Sequence, residues 1–196
     1  MEIGTIVLLV LLLIIYFVYN ENKYNDLLYV QSKKDGRKYL VRNKEDKDDA
    51  ADMMALIREK LVTVKEYLKE NYTEEDRVQR LIKKFNPNNI IELEKNSKNT
   101  SYSINKGEKI VFCLRSKDKD EKLVDMNTMM FVALHEMAHI MTESVGHTDE
   151  FWSNFKFLLK KASKLGIYKP TDYNSNPQEY CGMKITDTPL MDENIK

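Results

Sequence analysis

The sequence predicts an α+β fold: a small β-sheet packed on a central helix, a second helix backing it, and one transmembrane helix ahead of the domain. Three observations carry that prediction. The chain opens with an uncharged apolar run, Ile3 to Tyr19. Two stretches, 27–42 and 101–114, alternate apolar and polar residues as half-buried strands do. Two later stretches have helical periodicity, and the first of them is apolar on nearly every face, as befits a helix in the middle of a domain.

The opening run is read as a membrane anchor over 3–19, because a hydrocarbon core ~30 Å thick asks for about 20 apolar residues. A cleaved leader fits less well, since Glu2 stands where a basic residue is wanted and no small-x-small site follows. Lys23, Lys33, Lys34, Arg37 and Lys38 follow the run and no Lys or Arg precedes it. The bias of positive charge predicts a single-pass protein with its C-terminal domain on the cytosolic side. The chain then divides into the anchor, a juxtamembrane segment with a hairpin (20–48) and the main domain (49–196).

Leu28, Val30, Tyr39 and Val41 flank Asp35-Gly36, a favoured two-residue turn, and predict the hairpin. Met53, Ile57, Leu61, Val64 and Leu68 mark one face of a helix entered at Asp48-Asp49 and running to Glu70. Thr73 and Asp76 are spaced as a capping box for a short helix that Asn86-Pro87 ends. Strands are expected over Ser101–Ile104 and Lys109–Leu114, joined at Lys106-Gly107. A helix capped by Asp125 or Asn127 is expected to reach Ser144 and to break by Gly146. The last helix, Asp149 to Leu165, buries Phe151, Trp152, Phe155, Leu158 and Leu159. From Gly166 the tail reads as irregular.

Lys plus Arg number 31 and Asp plus Glu number 31. A formal charge of zero gives no strong nucleic-acid signal, because such partners are captured electrostatically. Cys113 and Cys181 form no CxxC and no disulfide framework, which points to a reducing compartment. Each reads as a small buried apolar residue, with Cys181 as a candidate fourth ligand that would make a metal site structural or inhibitory.

All three histidines fall between positions 135 and 147. His135-Glu136-Met137-Ala138-His139 is an HExxH: residues four apart on a helix share a face, so both imidazoles can converge on one ion. Glu136 sits one step round, placed to deprotonate a water that zinc would acidify towards a pKa of ~7. A catalytic zinc takes three protein ligands and keeps one position open. His147, behind Gly146, is the candidate third ligand. Glu143 is the alternative ligand, or else an acceptor for an imidazole N–H. Sinking two imidazoles and a carboxylate into so apolar a helix would cost on the order of several kcal/mol if they were unpaired, and one metal answers all three.

This motif, followed by Gly146-His147-Thr148-Asp149-Glu150-Phe151-Trp152, resembles the WLM and SprT (Spartan)-like metallopeptidases, which pair HExxH with a Gly-flanked third His and an aromatic four residues on. The strand Ile110 to Arg115 fits the same pattern. The arrangement is also similar to uncharacterised WLM-like proteins of large DNA viruses. It departs from WLM proteins in placing seven residues instead of five between the second and third His. The resemblance implies a zincin-like domain, one Zn2+ per chain held by His135, His139 and His147, and Glu136 as general base of a zinc metalloendopeptidase. The partners implied are a protein or peptide substrate and, through the N-terminal helix, a viral or host membrane. An extended substrate is expected to pair with a strand near Lys109–Arg115. Tyr168, Tyr173 and Tyr180 are candidate oxyanion donors. Two other functions compete: a non-catalytic membrane-anchored scaffold with structural zinc, and a DNA-associated protease of protein crosslinks.

Overall fold

The computed structural model describes residues 3–23 and 26–195. In chain order its elements are α1 (Ile3–Lys23), β1 (Leu27–Gln31), β2 (Lys38–Arg42), α2 (Lys47–Asn71), α3 (Asp76–Lys84), β3 (Ile90–Glu92), β4 (Tyr102–Ile104), β5 (Lys109–Phe112), α4 (Met126–Met141), α5 (Asp149–Lys164), β6 (Gln178–Tyr180) and β7 (Met183–Ile185). The mixed α and β content agrees with expectation; the transmembrane helix does not. No helix among the described residues is long and apolar enough to cross a membrane. The apolar run of Ile3–Tyr19 rises only about 25 Å at 1.5 Å per residue, short of a ~30 Å core, and α1 continues into Asn20-Glu21-Asn22-Lys23. The anchor, the single-pass placement and the cytosolic orientation derived from it are therefore corrected. From Ile6 to Tyr19 the large apolar side chains of α1 are exposed.

Five strands form one sheet in the order β1-β2-β3-β5-β4. The β1/β2 and β4/β5 pairs are antiparallel, while β2/β3 and β3/β5 are parallel. Parallel pairing of β2 with β3 needs a crossover, and α2 with α3 supply it. This order makes β4 an edge strand, with β1 at the other edge, and β5 an interior one, so the reading of Lys109–Arg115 as an edge strand is corrected. The first hairpin is also wider than expected: Gln31 pairs with Lys38, leaving 32–37 as the connection. Ser32 N–H reaches Arg37 O at 2.9 Å, and Asp52 on α2 accepts from the Ser32 hydroxyl at 2.7 Å, so side-chain bonds shape the loop as much as Gly36 does.

Helix α2 buries Met54, Ile57, Leu61, Val64 and Leu68 completely, one step round from the expected start at Met53. Its N-terminus at Asp46 makes no side-chain cap bond, and neither does that of α3 at Glu75. The expected capping box is absent there; Thr73 accepts instead from the Gln79 amide. Helix α4 lies between α2, α3 and α5, with β4 also against it. Twelve of its sixteen residues are buried, which is why its sequence shows no outward polar stripe. The β4–β5 turn packs on this helix through Gly107. A Cβ there would lie 2.9 Å from Ile140 Cδ1 and 2.9 Å from the Lys84 carbonyl, and its φ is +105°. Only glycine meets both conditions.

Two features were hidden from the sequence. Cys113, just past β5, is disulfide-bonded to Cys181, 68 residues on, with Cα atoms 6.0 Å apart. This corrects the reading of two unpaired cysteines in a reducing compartment, and takes Cys181 out of metal binding. The tail is also not irregular throughout: β6 and β7 form a hairpin turned by Cys181 and Gly182, both at positive φ (50° and 77°), the geometry of a type I′ turn.

Where the strands end, Glu92 and Arg115, both almost wholly buried, pair at 2.7 Å. Glu92 also accepts Arg42 N–H at 2.7 Å, and Arg115 reaches Asp46 ahead of α2. The network ties β2, β3, the end of β5 and the start of α2. Arg115→Met leaves Glu92 buried without its cation and should destabilise the fold by about 3–5 kcal/mol, whereas Glu92→Leu with Arg115→Met should recover most of that loss. Urea unfolding of the three proteins checks this. Equal midpoints for the single and double variants would show that the ion pair is not what joins these strands.

Candidate metal centre

Helix α4 starts where Asp125 Oδ1 accepts Thr128 N–H at 3.0 Å. Four residues separate His135 from His139, one helical turn, and their Nε2 atoms lie 3.2 Å apart. The helix ends at Met141, sooner than expected. Thr142 caps it, its hydroxyl donating to Ala138 O at 2.8 Å. The chain then reverses through 142–147, with Gly146 at φ +89°, and α5 begins from the Thr148 cap. His147 thereby returns to α4 with its Nε2 atom 3.1 Å from that of His135.

That returning loop is held from three sides. Lys106 Nζ donates to the carbonyls of Thr142, Glu143 and Ser144 at 2.6, 2.6 and 2.9 Å, a cation closing the C-terminus of α4. Glu150, in the first turn of α5, accepts from Glu143 N–H (2.9 Å), Ser144 N–H (3.1 Å) and the Ser144 hydroxyl (2.8 Å). Arg80 on α3 donates to Met141 O at 2.7 Å and pairs with Glu150 at 3.2 Å. Phe151 packs under all three imidazoles, its ring 4.8, 4.3 and 4.7 Å from those of His135, His139 and His147.

The three histidines offer one nitrogen each within 4.8 Å of one another. Ligands about 2.05 Å from a tetrahedral zinc stand roughly 3.3 Å apart, close to the separations seen here. The donor set fits, and so does its protonation. Burial, then the neighbouring imidazoles, pulls the His135 pKa down to about 3; burial, then His147 and Lys106, pulls His139 down to about 4. Both rings are neutral near pH 7, with lone pairs available. Among the described residues no Cys, Asp or Glu joins the group as a fourth ligand.

Glu136 is buried beside them. Burial pushes its pKa up to about 8, against the pull of a hydrogen bond from Ser103 N–H on β4. Glu143 faces away, its side chain 84% exposed and 3.8 Å from Arg80. Tyr168 and Tyr173 are buried against Phe131, at ring distances of 6.1 and 4.7 Å. Tyr180 lines the cleft, its hydroxyl hydrogen-bonded to that of Ser101, which also accepts Cys113 N–H at 2.9 Å. The cleft holds about 720 Å³ and is shared by α4, α5, β4 and the β6–β7 hairpin.

Sequence reasoning missed Lys106, Glu150, Arg80 and Ser103. Lys106 was visible only as part of a turn. Glu150 stood in the first turn of a capped helix, where an acidic residue needs no further explanation.

Residues 33–195 match the family described as WLM domain. An uncharacterised protein of Acanthamoeba polyphaga mimivirus is 34% identical over 187 residues, 93% of this chain and 94% of its own length. An uncharacterised protein of Invertebrate iridescent virus 6 is 39% identical over 87 residues, 44% of this chain and 48% of its own. The crystal structure of Wss1 from Saccharomyces cerevisiae is similar at 22% identity and a TM-score of 0.49, covering 64% of this chain and 88% of that one. The resemblance drawn from the histidine motif is borne out.

The depressed imidazole pKa values make the metal-free fold sensitive to mild acid. An unfolded His protonates near pH 6.5, whereas folded His135 and His139 resist until about 3 and 4. Between those values the unfolded chain binds more protons, so stability falls as pH falls. Urea midpoints of metal-free protein should drop from pH 7 to pH 5, and drop less in a His135→Leu, His139→Leu variant. An identical drop in both would place the effect elsewhere.

Proposed function

This chain belongs to the WLM-domain family, and on that footing we propose that it is a zinc-dependent endopeptidase acting on protein or peptide substrates. The observation that carries this reading is the convergence of three imidazole nitrogens beside a buried carboxylate in an open cleft.

His135, His139 and His147 would hold the ion through Nε2. When bound, zinc supplies Lewis acidity, polarising the scissile carbonyl and acidifying a water. Glu136 takes that water's proton and later delivers it to the leaving amine. Its burial among apolar neighbours raises its basicity, and Ser103 N–H fixes where the carboxylate points. An extended substrate would lie along β4, the edge of the sheet. Of the three candidate tyrosines only Tyr180 lines the cleft, which supports it as the oxyanion donor. Glu143 is left as a surface partner of Arg80.

A structural zinc is four-coordinate and closed. The lack of a fourth candidate ligand among the described residues favours the catalytic reading over the scaffold.

Purified full-length protein should carry one zinc per chain, and His135→Ala, His139→Ala or His147→Ala should each lose it. Glu136→Gln should keep zinc and lower cleavage of an unfolded protein by roughly 10²–10⁴-fold. Wild-type cleavage rates in Glu136→Gln, or full zinc in all three His variants, would sink the proposal.

A further inference from the structure

The β6–β7 hairpin has no part in holding the metal, yet it builds one side of the cleft. Ile185 is buried and Met183 half-exposed, and both line the cleft. Facing it from the helices are Phe131, Val132 and Phe155, all buried. Phe131 and Val132 stand four and three residues before His135, one helical turn from the metal face. Phe155 sets its ring 5.2 Å from that of His135 and 5.0 Å from that of Phe131. The apolar patch therefore adjoins the reacting position directly, within the reach of a residue flanking the scissile bond, given ~3.3 Å per residue of extended chain.

The hairpin is fastened at its tip. Cys181, the first turn residue, carries the disulfide to Cys113 beside β5, and Tyr180 is bonded to Ser101 next to β4. Its strands pair only with each other. Covalent attachment of a two-stranded hairpin, marginal by itself, fixes its distance from α4.

We propose that this hairpin is the specificity wall of the cleft: Ile185 and Met183, bolted in place by Cys113–Cys181, form with Phe131, Val132 and Phe155 a slot for a large apolar side chain next to the cleaved bond. The inference rests on the peptidase reading and names its substrate class. Between two phenylalanine rings and an isoleucine a charged side chain would lose its hydration, and reaching Lys184 or Asp187 on the cleft's rim would draw it out of the slot, so the slot selects by burial.

The test is to digest an unfolded protein with zinc-loaded full-length protein and map the cuts by mass spectrometry. Phe, Leu, Ile, Met or Tyr should flank the cut on one side about tenfold or more above Asp, Glu or Lys. Ile185→Asp should erase that preference while zinc content stays, and Ile185→Leu should restore it. Cys113→Ala with Cys181→Ala should broaden it without touching the slot residues. Cuts with no apolar bias, or an unchanged bias in both Ile185→Asp and the cysteine variant, would overturn the slot and leave the peptidase reading intact. A second readout works without turnover: Trp152, the only tryptophan in the chain, lines the same cleft. Its fluorescence in Glu136→Gln protein should respond to N-acetylphenylalanine amide and not to N-acetylaspartate amide. A selective response with no cleavage by wild type would support the slot and remove the peptidase; equal responses would remove the slot.

Discussion

A helix buried on nearly every side that must still carry two imidazoles and a carboxylate is the constraint around which the rest of this protein is arranged. Each of those groups, left alone in an apolar interior, opposes folding by roughly 1–3 kcal/mol or more. The structure answers by setting them along one face that opens on the cleft, with α2, α3 and α5 covering the remaining faces. The third imidazole cannot come from the same helix, because after Met141 the chain has to turn back. Its arrival depends on a short loop whose carbonyls are met by Lys106 and whose amides are met by Glu150. A loop with so many of its polar groups satisfied is a rigid arm, and rigidity is what a ligand needs if it is to wait in place.

The ends of the strands have a different kind of order. Glu92 and Arg115 knit the ends of three strands to the start of α2, far in character from the reactive face. The molecule thus keeps two polar groupings apart: an ionic knot that fixes topology, and an imidazole cluster that stays receptive to a cation. Had the carboxylates of the knot lain beside the histidines, they would have favoured protonated rings and competed with a metal.

The metal motif was legible because a spacing of four on a helix is a geometric statement as much as a chemical one. The α2 face was legible for the same reason, to within one residue at Met53 and Met54. What escaped were features with little local pattern. Strand β3 is three residues long, and its identity as a parallel partner of β2 depends on the α2–α3 crossover. The β6–β7 hairpin is equally short, and its turn puts Cys181 at positive φ, where glycine or asparagine is the usual signal. The disulfide joins cysteines that only the folded chain brings together. The N-terminal run misled because hydropathy reports what a segment avoids, while crossing a bilayer also demands length. The edge strand was misassigned because β5 is the more apolar of the two late strands, and apolarity marks the interior of a sheet.

Gly107 shows how far the chemistry extends into parts of the chain that never approach a substrate. Because it has no side chain, the β4–β5 turn can rest against Ile140 and the Lys84 carbonyl, and β4 then lies close enough for Ser103 to reach Glu136. The gap between sheet and helix is gauged by a single hydrogen atom. Any larger residue at 107 would act as a shim, lifting the edge strand off the helix, so that the carboxylate would lose its amide and β4 would shift relative to the imidazoles. The breadth of the cleft is thus written into the backbone of a turn on its rim.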